Sequence, residues 1–148
     1  MAELSNSDLV RKTYEAFNSR DFEAAISCVH EDLDWTEVAS GRRYRGPEGM
    51  LREYREWARA FPDGAAEITN LIEGGEWVVV EFTVRGTNTG PMMGPDGEIP
   101  PTNAKIELQS CDVLRVVDGR VAGGRSYFDL NTITRQVAGD APDQTPLL

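Results

Sequence analysis

The stretch Val121 to Gln136, VAGGRSYFDLNTITRQ, reads as a short strand running into a closing helix. Strand alternation puts Arg125, Tyr127 and Asp129 on one face and Gly124, Ser126 and Phe128 on the other. The helix carries Leu130, Ile133 and Val137 at i, i+3 and i+7. Asp129 stands at the junction. It can cap the helix, as Asp commonly does, or present a carboxylate to a cavity at the inner end of the strand.

Working back from this junction, everything from Ala65 to Phe128 reads as strand. Lys105 to Val117 carries Ile106, Leu108, Leu114 and Val116 in one phase, shared by Ser110 and Asp112, and Asp118-Gly119 then makes a tight turn. Without a bulge Asp112 faces inward, which makes it a reserve candidate; a slip of one residue sends it to solvent. Glu76 to Thr87 points Val78, Val80, Phe82 and Val84 one way, and Asn88 continues that phase toward the interior. Ala65 to Glu73 reaches it through a Gly74-Gly75 turn, while Pro91 to Pro101, PMMGPDGEIPP, reads as a loop whose methionines can cover a cavity mouth.

The N-terminal part is helical. Ser5 and Asp8 resemble a capping box ahead of Val10, Tyr14 and Phe17, and Asp21 caps a second helix expected to end near His30. Leu33 to Val38 is a short strand, and Ala39 to Gly46, with its three arginines, is expected as an exposed loop. Pro47 suits the first turn of a third helix, in which Met50, Leu51, Tyr54, Trp57, Ala58 and Phe61 form one apolar face before the turn at Pro62-Asp63-Gly64. Most of that face is expected to pack on a sheet, with Tyr54 and Trp57 also able to wall a ligand cavity. The layout is α+β: a curved antiparallel sheet with helices on its concave face.

At 148 residues the chain is expected to be one domain, 1–148, loose over about 1–6 and 138–148. A net charge of −10 argues against nucleic acid and anionic lipid as partners. No apolar run approaches a bilayer span and MAELSNSDL lacks a leader pattern, so no membrane partner and a cytoplasmic location are expected. With two cysteines and one histidine at unhelpful spacing no metal site is expected, and Cys28 and Cys111 are expected as buried free thiols.

YRGPEG (Tyr44 to Gly49), AFPDG (Ala60 to Gly64), VRGTNTGPMMG (Val84 to Gly94), PPTN (Pro100 to Asn103), DVLRVVDGR (Asp112 to Arg120) and SYFDLNTITRQV (Ser126 to Val137) together resemble the SnoaL-like polyketide cyclases. The wider superfamily includes ketosteroid isomerase, scytalone dehydratase and limonene epoxide hydrolase. The resemblance implies a cone-shaped barrel with a deep apolar pocket, and a homodimer through the outer sheet face. It further implies a cofactor-independent intramolecular aldol ring closure of a hydrophobic polyketide, with Asp129 as acid/base.

Three departures stand out. Asn88 occupies a position where the family's GTHTG-type segment usually has His, Gly124 and Arg125 replace an aromatic or His-Trp pair, and Pro95 to Ile99 adds loop length. Asn88 can polarise a carbonyl but cannot exchange protons near neutrality. The expected catalytic set is Asp129, Asn88 and Arg125. Tyr14, Tyr54, Trp57, Phe61, Phe82, Met92 and Tyr127 are expected to bind the substrate. The alternatives are a hydroxylase, isomerase, dehydratase or epoxide hydrolase using the same pocket, or a non-catalytic binding and dimerisation module.

Overall fold

In the computed structural model, which describes residues 4–140, helix starts follow their capping residues. The Ser5 hydroxyl accepts from the Asp8 amide at 3.1 Å to open α1 (Asn6–Asn18), and Asp21 accepts from the Ala24 amide at 3.2 Å to open α2 (Phe22–Ile26). There follow β1 (Val29–Glu37), β2 (Arg42–Arg45), α3 (Gly46–Ala60), β3 (Ala65–Gly74) and β4 (Trp77–Thr87). The chain continues through β5 (Met92–Gly94), β6 (Gly97–Ile99), β7 (Lys105–Val117), β8 (Arg120–Phe128) and α4 (Leu130–Val137). Residues 1–3 and 141–148, within the ends expected to be loose, lie outside the described residues.

The main sheet has six strands in the order β2-β1-β8-β7-β4-β3, with β5 and β6 forming a separate small hairpin. The sheet is curved but open at both edges, so the expected closed barrel is not formed. It is also not wholly antiparallel, because β1 pairs with β8 in parallel. Leu33, Trp35, Val78, Val80, Leu114 and Val116 share one core cluster with Val10 of α1 and Met50 of α3, which places these helices over the inner sheet face.

Three boundaries differ from expectation. α2 stops at Ile26, and β1 begins at Val29 because that residue already pairs with Val121. The arginine-rich segment is not a loop: Arg42 to Arg45 pair with Glu37 to Asp34, burying Tyr44 and setting Arg43 against Asp34. Opposite charges at both ends of the pairing, Asp34 with Arg43 and Arg45 and Glu37 with Arg42, offset the low strand propensity of the segment. Within PMMGPDGEIPP, Met92 pairs with Ile99 and Gly94 with Gly97 around the Pro95-Asp96 turn.

The decisive irregularity is on β8. Arg115 faces Gly123 across the β7–β8 ladder, whereas Val116 faces Val121, so Ala122 is an extra residue on β8. This bulge reverses the inward phase of β8. Val121 points inward before it; Ser126 is buried after it, and Arg125 and Tyr127 are exposed. Gly124 falls on the inner side, where an added Cβ would lie 2.3 Å from the Val113 carbonyl oxygen and 2.6 Å from the Trp35 ring. The ring bulk expected at this position is supplied from β1 by Trp35. Gly124→Ala is accordingly expected to cost about 1–3 kcal/mol. Thermal denaturation should show a melting point lower by several degrees, on the order of 3–10 °C.

Candidate active site

A cavity of about 110 Å³ lies between the inner sheet face and helices α1 and α3. Its walls are mostly aromatic: Tyr14 and Phe17 from α1, Tyr54 and Trp57 from α3, Trp35 from β1, Phe82 from β4 and Phe128 from β8. Tyr14 packs edge-on to Phe82 with ring centroids 5.2 Å apart. Thr13, Ser110, Ser126, Glu53 and Asp112 supply the polar lining.

Asp112 is the carboxylate that the sheet delivers to this cavity. Alternation along β7 is unbroken because the extra residue sits on β8, so Ile106, Leu108, Ser110, Asp112, Leu114 and Val116 all face inward. The side chain is 92% removed from solvent, its Oδ2 accepts a 2.5 Å hydrogen bond from the Tyr14 hydroxyl, and its Oδ1 is buried without a protein partner. Burial pushes its pKa up to about 6; the hydroxyls of Tyr14 and the facing Ser126 pull it down, and Glu37 adds a smaller upward push. Tyr14 itself is raised well above the usual phenol value, first by burial and then by Asp112, so it remains a donor. A base of this kind ionises near neutrality yet has a free oxygen for a proton.

Glu53 enters from α3, on the face that also carries Met50, Tyr54 and Trp57. Its pKa is raised well above the ordinary carboxylate value, chiefly by burial and then by Glu37, Asp112 and Glu56. The amphipathic pattern of α3 held the signal, since Glu53 shares the apolar face of Met50, Tyr54 and Trp57 and is out of phase with its exposed neighbours Arg52 and Arg55.

The other expected residues separate into three groups. Tyr14, Tyr54, Trp57 and Phe82 line the cavity. Phe61 and Met92 line a second cavity of about 230 Å³, which also touches Glu37, Arg42, Glu56, Met93 and Leu130 and shares Trp57 and Phe128 with the first. The two shared rings meet edge to face at 5.7 Å and 85° and so form the wall between the chambers, with the Trp57 indole N–H donating to Glu37 at 3.3 Å.

The third group does not reach either cavity. Asp129 is exposed and caps α4, accepting from the Asn131 amide at 2.9 Å and the Thr132 hydroxyl at 3.0 Å. These bonds, the Thr132 hydroxyl foremost, hold its pKa below the usual value. The expectation that it faces the pocket is therefore corrected: the bulge at Ala122 turns its phase outward. Arg125 and Tyr127 are exposed on the outer face, where the Arg125 Nε donates to the Tyr127 hydroxyl at 2.9 Å and the guanidinium lies 6.0 Å from the Trp77 ring. Asn88 is fully buried but spent: its amide nitrogen donates to the carbonyls of Ala60 and Gly90, and its oxygen accepts from the amide and hydroxyl of Thr102. It ties the end of α3 to two loops and has no donor left for an oxyanion. Among the described residues no group of three or more His, Cys, Asp or Glu side chains is placed to hold a metal ion.

The family model of the SnoaL-like polyketide cyclases matches residues 7–137. The chain belongs to this family. It is 27% identical over 137 residues to the aklanonic acid methyl ester cyclase DauD of Streptomyces sp. strain C5, covering 91% of this chain and 83% of that protein. It is 25% identical over 130 residues to the nogalonic acid methyl ester cyclase of Streptomyces nogalater, covering 86% and 93%. Among solved structures, TsrD from Streptomyces laurentii superimposes with a TM-score of 0.78 at 26% identity, covering 93% of this chain and all of that one. A protein of ketosteroid isomerase-like fold from Catenulispora acidiphila does so with a TM-score of 0.76 at 18% identity, covering 96% and 100%. The fold of this SnoaL-like chain is thus ketosteroid isomerase-like.

The raised pKa of Asp112 has a thermodynamic counterpart. A folded-state value of about 6 against the usual 3.8 means that the neutral form stabilises the folded chain. That contribution is fully present below about pH 4 and is lost as pH rises through about 6. Asp112→Asn, neutral at every pH, is expected to be more stable than the parent at pH 8 by on the order of 1–3 kcal/mol, with the advantage shrinking as pH falls toward 4. Denaturant titrations at several pH values measure this directly.

Proposed function

We propose that this chain closes a ring of an aromatic polyketide by an intramolecular aldol reaction, without metal or organic cofactor, with Asp112 as the base. The observation that carries the reading is a nearly buried carboxylate with one oxygen held by Tyr14 and the other unpaired, in a cavity walled by aromatic rings. Protons flanked by two carbonyls are acidic enough for a carboxylate whose pKa is only modestly raised. The Tyr14 hydroxyl steadies the ionised form, and the aromatic walls hold a flexible chain in a conformer from which it can close. A module that only binds partners would have no need to keep this cavity open around an unpaired carboxylate oxygen.

A homodimer through the outer sheet face, in the cytoplasm, belongs to the same reading. It is supported by exposed Trp77, Tyr127 and Ile72 on the strands of the open sheet, and by two free thiols, Cys28 buried and Cys111 half-buried. Sedimentation velocity is expected to give twice the chain mass, and Trp77→Glu to lower it toward the monomer.

The catalytic assignment is tested with aklanonic and nogalonic acid methyl esters, the compounds for which the relatives are named. Ring closure is expected in metal-free buffer, with Asp112→Asn lowering kcat by about 10²–10⁴. Asp129→Asn keeps a good helix cap and should stay within about twofold of the parent. Full turnover by Asp112→Asn, or its loss in Asp129→Asn, would return the role to Asp129.

A further inference from the structure

Four acidic side chains meet near the cavity, and they differ in what they hold. Glu37 accepts from the Ser40 hydroxyl at 2.7 Å and from the Trp57 indole at 3.3 Å. Glu56 accepts from Tyr44 at 2.9 Å and pairs with Arg42 at 3.3 Å, with Arg52 at 3.8 Å. Asp112 Oδ2 accepts from Tyr14, while Oδ1 has no hydrogen bond although the Ser126 hydroxyl lies close enough to favour the ionised form. Glu53 makes no hydrogen bond or ion pair to another described residue, although it lines the same cavity from the opposite wall. The Asp112 Oδ1 is buried and unpartnered, and the half-buried Glu53 carboxyl faces the same cavity with no partner among the described residues, so the two together suit a ligand that engages both.

We propose that Glu53 is a second catalytic carboxyl, the acid that protonates the carbonyl oxygen under attack while Asp112 takes the proton from carbon. This rests on the aldol reading above. In the step, the Asp112 carboxylate removes a proton from the carbon beside one carbonyl, and the C–H electron pair passes into the enolate. The enolate carbon forms a bond to the second carbonyl carbon, whose π pair moves onto its oxygen. The Glu53 O–H bond breaks and its proton goes to that oxygen, leaving a hydroxyl. Asp112 ends protonated and Glu53 ionised, and one proton passed from the first to the second restores the site.

The surroundings of Glu53 favour the neutral form this role needs. It is faced by Glu37 from β1, Asp112 from β7 and Tyr14 from α1, with Glu56 and Tyr54 on its own helix; the nearby cations Arg42 and Arg52 are engaged by Glu56. One carboxyl is thus kept as acid and the other as base by their environments.

The experiment follows two signals from aklanonic acid methyl ester in D₂O: deuterium uptake at the activated carbon, which needs the base, and ring closure, which needs both groups. Asp112→Asn should abolish both. Glu53→Gln should lower closure by about 10²–10³ while slowing uptake far less, and should remove the alkaline fall of the pH profile. Glu53→Asp should recover part of the closure. Wild-type closure by Glu53→Gln, or equal loss of uptake and closure, overturns the proposal. If the parent protein shows neither signal, the polyketide reading fails and Glu53 is judged by ¹³C carboxyl titration. A neutral Glu53 beside an ionised Asp112 at pH 7 then upholds the pair, and an ionised Glu53 overturns it.

Discussion

The hydrogen bond from Tyr14 to Asp112 joins residues 98 apart in sequence and ties the first helix to the middle of the sheet. It holds in place a charge that the surrounding rings would otherwise expel. Moving a carboxylate out of water costs far more than one hydrogen bond returns, and the balance here is struck by a pKa raised to about 6. Tyr14 takes part in both halves of that balance: its hydroxyl donates to the carboxylate and its ring packs against Phe82. The cavity is therefore defined by a polar contact across an apolar layer. The helix cannot shift along the sheet without leaving Asp112 unpaired.

What sets Asp112 rather than Asp129 at that point is one extra residue. Periodicity alone located β3, β4 and β7, and it placed Asp112 in phase with Ile106 and Leu108, because a long strand with one buried face repeats its pattern many times. It failed on β8, where the Ala122 bulge reverses the phase within a nine-residue strand. Nothing in VAGGRSYFD marks that position. The two glycines after it accommodate the bulge but equally suit a flat strand. Alternation puts Arg125, Tyr127 and Asp129 on one face, and with the bulge that face turns outward as a unit, so none of the three reaches the site expected of them. The remaining misses have other causes. Asn88 is inward as its phase indicates, but its hydrogen-bonding capacity is consumed by the end of α3 at Ala60, by Gly90 and by Thr102, which sequence cannot bring together. The Arg42 to Arg45 strand exists through cross-strand charge pairs, a tertiary effect that overrides composition.

The third helix governs the shape of the ligand space. Trp57 and Phe128 meet edge to face between two chambers, and the Trp57 indole N–H is fixed by Glu37 on β1. One chamber holds the carboxyls. The other opens toward Met92 and Met93 of the small hairpin, which is anchored to α3 by the ion pair of Arg59 and Glu98. The hairpin of β5 and β6 is thus the roof of the second chamber. Flexible methionines over a partition of two rings make a surface that can adapt in shape while the carboxyls behind it stay fixed.

That separation bears on why the chain tolerates so unfavourable an arrangement. Burial favours the protonated form of both Asp112 and Glu53, and Asp112 raises Glu53 further. A carboxyl pair of this kind weakens the folded state at neutral pH, and apolar replacements of similar volume would strengthen it. Enough stability must come from elsewhere. The long β4–β7 ladder, paired without interruption from Trp77 to Thr87, supplies a rigid floor beneath the site. The helices pinned above it by Tyr14 and Trp57 then carry the strain of an incompletely satisfied cavity. A site of this type is expected to be the least stable part of its own fold, because the unmet capacity that destabilises the empty protein is what a ligand can satisfy when it brings a carbonyl acceptor to Glu53 and a hydrogen donor to Asp112.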